Sequence, residues 1–317
     1  MGALAAASLL ALPAAASADR NFSLRYSNNI NGQITTAANT ILQCPLGTPD
    51  PLANSGCEGS RAGTNARNNN SFDMQWLDVD SDPSTFDSST STLSLPSGSR
   101  VLFAGLYWTG IQKKGEIVKG ANGYVGVPQA APDANAVGTV KLKVPGSSSY
   151  ETVNASQVDT GAIANGSGYT AFADVTTQVV GARQGDYTVA NVQTATGGNV
   201  AAGWTLVVAY ADEQEPLRNL AVFDGLKVVS GTSFVDIPLS GFKTPSSGSV
   251  STTVGVIAAE GDAGISGDYL TLNEKTLADA VHPANNTENS TIANRGSQVT
   301  TKNPDWRNQL GYDSSLF

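Results

Sequence analysis

The chain has 317 residues, only 14% of them charged, and its 18 lysines and arginines against 27 aspartates and glutamates give a formal net charge of −9. That balance excludes a nucleic-acid partner, because a phosphate backbone is held by clustered lysine and arginine. The length suffices for one large β domain or two smaller ones, each with its own core, so a miniature scaffold that depends on staples is excluded as well.

The first eighteen residues, MGALAAASLLALPAAASA, are apolar and alanine-rich, and they end in the triplet Ala16-Ser17-Ala18 ahead of Asp19 and Arg20. This is the pattern of a secretory signal peptide cut after Ala18. A leader normally opens with a basic residue and none precedes Arg20, so Met1 is not expected to be the natural start. At the other end GYDSSLF stops without a polar tail, and the expectation is a fragment of a longer secreted chain. No later apolar run approaches the ~20 residues that span a bilayer, and no alternating pattern with aromatic girdles suggests an outer-membrane barrel. Membrane contact is therefore expected only through the signal peptide or an anchor missing from the sequence.

Cys44 and Cys57 flank the turn formers Pro45, Gly47, Pro49, Pro51 and Gly56. In an exported chain they are expected to form a local disulfide. Redox and zinc chemistry are disfavoured, since there is no Cys-x-x-Cys pair and His282 is the single histidine.

Short runs of β-branched and aromatic residues then recur between Gly, Pro, Asn and Ser clusters, as in all-β sandwiches and barrels. VLFAGLYWTG at 101–110 and WTLVVAY at 204–210 are apolar on both faces, which predicts strands covered on both sides. TVKLKV at 139–144 alternates, with Val140, Leu142 and Val144 inward and two lysines outward. Further strands are predicted at 24–36, 72–80, 92–95, 150–154, 186–194, 219–229, 234–239, 250–258 and 268–272. A short helix is predicted after Asp174, running to Gly181, although Val175 to Val180 reads equally as a strand because β-branched residues disfavour helix; a second is predicted near Glu274 to Val281, and long surface loops over 53–70 and 284–303. The fold class is all-β: an antiparallel, jelly-roll-like β-sandwich, or two packed sandwiches. Its expected divisions are a signal peptide at 1–18, a sandwich at 19–230 and a second, truncated β region at 231–317.

Read in order, several segments carry a family resemblance: YSNNINGQITTAANTILQCP, FDMQWLDVDSDPSTFDSS, VLFAGLYWTG, AFADVTTQVV with YTVANVQT, AGWTLVVAYADEQEPLRNLAVFDG, EGDAGISGDYLTLN and NQLGYDSSLF. Together they resemble the uncharacterised amino-terminal domain of large secreted Gram-positive surface proteins that carry immunoglobulin-like repeats. The resemblance implies a cell-surface location, β architecture and a structural or adhesive role. It supplies no catalytic or binding residues.

Asp78, Asp80 and Asp82, followed by Asp87, are the first candidate site, because alternate carboxylates on an extended segment point to one side and together attract a cation. Calcium is the natural ion, although the loop is not an EF-hand: Pro83 and Ser89 stand where Gly and Glu are needed. The competing reading is a solvated acidic turn. Glu260, Asp262 and Asp268 form a second acidic loop, which reads as a plain loop, a second cation site or a glycosidase carboxylate pair. His282 reads as a structural or exposed residue, since no Gly-x-Ser-x-Gly elbow accompanies it. Trp108 and Trp204 belong to the core strands, whereas Trp76 and Trp306 lie nearer polar loops and are the candidates for a ligand surface.

The leading functional expectation is a non-enzymatic extracellular or cell-surface module, structural or adhesive, that needs no cofactor apart from calcium. Its expected partners are cell-wall or host-surface glycans or proteins. The alternatives are a carbohydrate-binding module and a secreted glycoside hydrolase.

Overall fold

The structure, a computed structural model, describes residues 19–47, 51–120, 123–163, 166–231, 233–242 and 246–317; the predicted signal peptide lies outside the described residues. Six antiparallel strands form one sheet in the order Leu217–Asp224, Ser23–Thr40, Gly203–Ala211, Arg100–Ile111, Gly166–Asp174, Gln157–Ile163. The two runs that are apolar on both faces lie side by side in it, with Trp204 opposite Trp108 and Leu206 opposite Leu106. A five-stranded sheet faces it, in the order Lys302–Asn303, Ser88–Leu93, Gly185–Ala190, Thr139–Lys143, Glu151–Asn154.

The core between the sheets joins Trp108, Trp204, Leu106 and Leu206 to Leu93, Val140, Leu142, Tyr187 and Val189. Both indoles are buried, and each finds an acceptor for its N–H: the Val137 carbonyl for Trp108 and the Ser89 hydroxyl for Trp204, both at 2.8 Å. With that polar handle satisfied, each ring contributes its full apolar area, and truncation to alanine would cost about 3–5 kcal/mol.

The opposite face of the six-stranded sheet is covered by the sheet itself. Half of the long first strand, Gly32 to Thr40, pairs with Gly203–Ala211, whereas Ser23 to Asn31 pairs with Leu217–Asp224. The sheet curls into a half-barrel around a second apolar cluster. There the Tyr26 ring stacks on Phe103 at 5.0 Å, and Phe172, Val207, Leu220 and Val222 pack around them. The two edges are then clasped by one side chain. Arg20 donates to Asp159 on one edge strand at 2.8 and 2.9 Å, and to Asp224 on the other at 2.9 Å. Arg25 adds a 2.6 Å bond to Asp224. Inward-facing residues on both sides of the central strands thus follow from a sandwich on one face and a curl on the other.

A smaller sheet, Gly255–Ala259, Tyr312–Leu316, Ile292–Asn294 and Ser297–Gln298, packs on this body. Tyr312 lies flat against Gly203, where a Cβ would come within 2.4 Å of the ring, and its hydroxyl meets Thr205 Oγ1 at 2.7 Å. Lys302–Asn303 extends the five-stranded sheet by pairing with Ser88–Leu93. Residues 231–317 therefore share a sheet and a core contact with 19–230.

Several local expectations are corrected. The predicted 72–80 strand shrinks to Gln75–Trp76. Residues 234–239 pair with nothing in the described sheets, and Phe234, Val235, Ile237 and Leu239 are exposed. The segment near Glu274 is not a helix: Asn273 and Glu274 both take positive φ and turn a tight hairpin between Thr271–Leu272 and Lys275–Thr276. Pro51–Arg61, within and just before the predicted 53–70 loop, is a helix. Proline is favoured in a first helical turn, and Cys57 ties this helix to the strand region. The short helix Thr176–Ala182 lies where it was expected.

Candidate functional site

The disulfide is formed: Cys44 and Cys57 are bonded, fully buried, with Cα atoms 5.6 Å apart. One helical turn beyond Cys57, Arg61 donates to the Cys44 carbonyl at 2.6 Å and lays its guanidinium 4.1 Å from the Trp306 ring centre. Burial lowers the Arg61 pKa to about 10. One face of Trp306 is thereby occupied by the protein's own cation. Trp76, half-buried, donates its indole N–H to the Thr194 carbonyl at 2.8 Å and meets the Phe86 ring edge-on. The two rings proposed for a ligand surface are each engaged in internal contacts.

The four aspartates at 78–87 are not gathered around a common point. The segment 77–87 forms no strand in the described sheets. Asp78 accepts from Ser88 Oγ at 2.6 Å, and Asp82 accepts from the Ser84 N–H and hydroxyl. Asp80 accepts from Tyr150 and from Lys143 at 3.3 Å. Burial alone would raise the Asp80 carboxyl, but Tyr150, the Asp82 N–H and Lys143 together hold it below its usual value. Asp87 turns into the core, accepts from the Val192 N–H at 3.0 Å, and is driven well above the carboxylate range by burial. What remains is a chain of Asx turns, Asp80 to Asp82 to Ser84, cross-braced by a lysine and a tyrosine.

A denser acidic group lies where the small sheet meets the body. Glu260 follows the Gly255–Ala259 strand and accepts from Asn69 Nδ2. Asp268 accepts the Glu288 N–H at 2.9 Å. Asp313, 1% exposed in the middle of the Tyr312–Leu316 strand, accepts the Thr291 N–H at 2.8 Å through Oδ1. Its other oxygen lies over Gly261, where a Cβ would come within 2.1 Å of it and 2.7 Å of the Glu288 carbonyl. Buried oxygens with no hydrogen-bond partner accumulate here: Asp262 Oδ1, Glu288 Oε1, Asp313 Oδ2 and Asn286 Oδ1. Burial, aided by neighbouring carboxylates, pushes Glu260 and Asp262 up to about 6 and Glu288 up to about 7, and drives Asp313 well above its ordinary range. Among the described residues no group of three or more acidic, histidine or cysteine side chains is placed to hold a metal ion.

Next to this group runs a serine–histidine–aspartate relay. Asp279 Oδ1 meets His282 Nδ1 at 2.9 Å, and His282 Nε2 meets Ser315 Oγ at 2.9 Å. The spacing is that of a hydrolase triad, but His282 is 0% exposed, Ser315 is 4% exposed, and the Phe317 ring centre is 4.7 Å from the imidazole. Substrate cannot reach the hydroxyl in this arrangement. Asp279 also accepts the Val281 and His282 N–H groups, so the relay fastens a turn to the strand beneath it. Asp313 and Ser315 escape sequence reasoning because they join the loop acids only through pairing of the last strand, and Glu288 because it reaches them through loop hydrogen bonds, its N–H donating to Asp268 and its carbonyl accepting from the Asp262 N–H. The available signal was Asp313 directly after Tyr312 and three residues before Leu316.

Fold and sites together define an all-β, disulfide-linked sandwich with a half-barrel on one face and an acidic interior seam. A family model described as "Protein of unknown function (DUF3344)" matches residues 66–316, and the chain belongs to that family. Neither the curated proteins nor the solved structures contain a match to it.

Proposed function

We propose that the protein is a non-enzymatic module of the cell exterior with a structural or adhesive role, in keeping with the resemblance to amino-terminal domains of Gram-positive surface proteins. The observation that carries the reading is the run from Val229 to Phe242. Phe234 is 76% exposed, Phe242 47% and Val229 59%, with Ile237 and Leu239 also at the surface. An apolar run of this size on a soluble body marks a surface that meets a partner. The buried Cys44–Cys57 bond supports the exterior location, since such bonds persist in oxidising compartments. Among the described residues no helix is long and apolar enough to cross a membrane. The groups that resemble catalytic ones are enclosed or hydrogen-bonded within the fold, which supports a role without turnover.

The test is co-sedimentation of the purified protein with isolated cell walls, beside the triple variant Phe234→Ser/Ile237→Ser/Phe242→Ser. Wild type should pellet with the walls, and the variant should stay in solution at an unchanged melting temperature. Turnover of a wall polysaccharide that disappears in Glu260→Gln would overturn the proposal in favour of a hydrolase.

A further inference from the structure

We propose that the paired arms 115–120 and 123–128 form a docking surface for an anionic phospholipid bilayer, with Ile117, Val125 and Val127 entering the headgroup layer and Lys113, Lys114 and Lys119 meeting lipid phosphates. Lys119 bridges Val125 in antiparallel fashion, and the Gly120 and Gly126 N–H groups donate to the Tyr124 and Val118 carbonyls, both at 2.9 Å. Residues paired across such a ladder share a face, as do residues two apart along one arm. One face therefore carries Ile117, Lys119, Val125 and Val127, and the other Val118, Tyr124 and Gly126. The second face lies on the body. There the Tyr124 hydroxyl donates to Asp73 Oδ2 at 2.8 Å, a Cβ at Gly126 would come within 2.6 Å of the Asp73 carboxyl carbon, and a Cβ at Gly198 would meet Val118 Cγ2 at 2.8 Å. Glu116 fixes the root by exchanging two backbone hydrogen bonds with Gly198, at 2.8 and 2.9 Å. The first face is left to solvent: Ile117 is 62% exposed, Val125 49% and Val127 74%, with Lys119 exposed among them.

Charge identifies the occupant. Lys113 and Lys114 are exposed just ahead of the first arm, so three lysines stand within seven positions, against Glu116 alone, in a chain whose net charge is −9. Among the described residues no carboxylate lies within ion-pair distance of any of the three. Free lysines beside outward aliphatic side chains complement a bilayer surface: anionic headgroups attract the ammonium groups, and the headgroup boundary accepts the apolar ones. A soluble polyanion would engage the lysines and leave Ile117, Val125 and Val127 in water. A folded protein partner needs about 800 Å² from each side, more than one face of this short ladder offers, whereas a bilayer accepts a single small element. The contact is additional to any signal peptide or anchor. It is also separate from the apolar run at 229–242, and either surface can fail alone.

The experiment is co-sedimentation of the secreted full chain with vesicles of phosphatidylcholine alone and of phosphatidylcholine containing phosphatidylglycerol, at low salt. The anionic vesicles should take up the protein at least tenfold better, and raising the salt should reverse this. The triple variant Lys113→Gln/Lys114→Gln/Lys119→Gln should partition about a hundredfold less, at roughly fivefold per lysine. Ile117→Ser/Val127→Ser should lose about tenfold on the anionic vesicles and keep wild-type binding to soluble polyphosphate. An NBD label on Val127→Cys, insensitive to whether the serine variant folds, should brighten with anionic vesicles and not with polyphosphate. Equal uptake by the two vesicle types, uptake by neither, or wild-type partitioning in the lysine variant overturns the proposal. Wild-type partitioning in Ile117→Ser/Val127→Ser, or an NBD signal that vesicles leave unchanged, overturns it in favour of a soluble polyanion. Loss of vesicle binding in Phe234→Ser/Ile237→Ser/Phe242→Ser also overturns it, moving the contact to 229–242.

Discussion

Arg20→Ala removes the side chain that joins the two edges of the curled sheet. The wild-type guanidinium makes two bonds to the Asp159 carboxylate, one to the Asp224 carboxylate and one to the Asp224 carbonyl, and both aspartate side chains are 7% exposed. After the substitution Asp224 keeps Arg25 at 2.6 Å and the Tyr107 hydroxyl at 3.3 Å, so its charge stays compensated. Among the described residues Asp159 keeps only Gln157 Nε2 at 2.8 Å, a neutral donor. Stranding one member of a buried ion pair costs about 3–5 kcal/mol. Arg20 itself is 23% exposed, so water enters where it leaves and the expected loss falls to about 2–3 kcal/mol. Urea unfolding followed by tryptophan fluorescence reads this directly. Asp159→Asn should restore part of the loss in the Arg20→Ala background, giving a coupling energy of about 1–2 kcal/mol in a double-mutant cycle. A single-mutant loss below about 0.5 kcal/mol with additive behaviour would refute the clasp and leave the apolar cluster alone holding the curl closed.

Replacing Cys44 and Cys57 with alanine should lower stability by about 2–4 kcal/mol, because the bond closes a short loop; peptide mapping without reduction should recover the two cysteines in one linked peptide. Gly203→Ala places a methyl group inside the Tyr312 ring, and an expected loss of about 1–3 kcal/mol should be accompanied by faster hydrogen exchange in the Tyr312–Leu316 strand. The protein should lose stability as pH rises from about 4.5 to about 7. Glu260, Asp262 and Glu288 have folded-state pKa values raised to about 6, 6 and 7, so the folded state holds protons that the unfolded chain has already released. Melting temperatures across that range should fall less steeply in Glu288→Gln, and a flat wild-type profile would exclude uncompensated acids in the seam.

The parts of the fold legible in the sequence are those governed by period-two burial. Residues 101–110 and 204–210 read as doubly covered strands and are so, and the alternation at 139–144 gives Val140 and Leu142 inside. The cysteine pair was legible from its turn-rich interval. The curl was not, because it depends on one strand exchanging partners partway along its length, and residues 24–36 look the same whichever strand they pair with. At the acidic turn the sequence left two readings, a cation site and a solvated turn, and Asx hydrogen bonds from the Asp82 and Ser84 N–H groups, which depend on the local chain path, are not legible from the spacing of the aspartates. The seam was half legible. Glu260, Asp262 and Asp268 stand close together in sequence, but only tertiary pairing brings Asp313 and Glu288 to them.

The first strand finds all of its ladder partners between residues 203 and 224. Thr40 and Ala202, hydrogen-bonded in the folded state, are 162 residues apart, and Arg20 and Asp224 are 204 apart. A chain that emerges amino terminus first, at about 5–20 residues per second, leaves this strand waiting on the order of 10–40 seconds for anything to pair with. An open edge of that length invites association between chains. The strand's own composition answers the hazard: SLRYSNNINGQITTAANT carries only Leu24, Tyr26, Ile30 and Ile34 as large apolar residues among asparagines, threonines and serines. The half-barrel therefore closes late, around a strand polar enough to remain in water until its partners arrive.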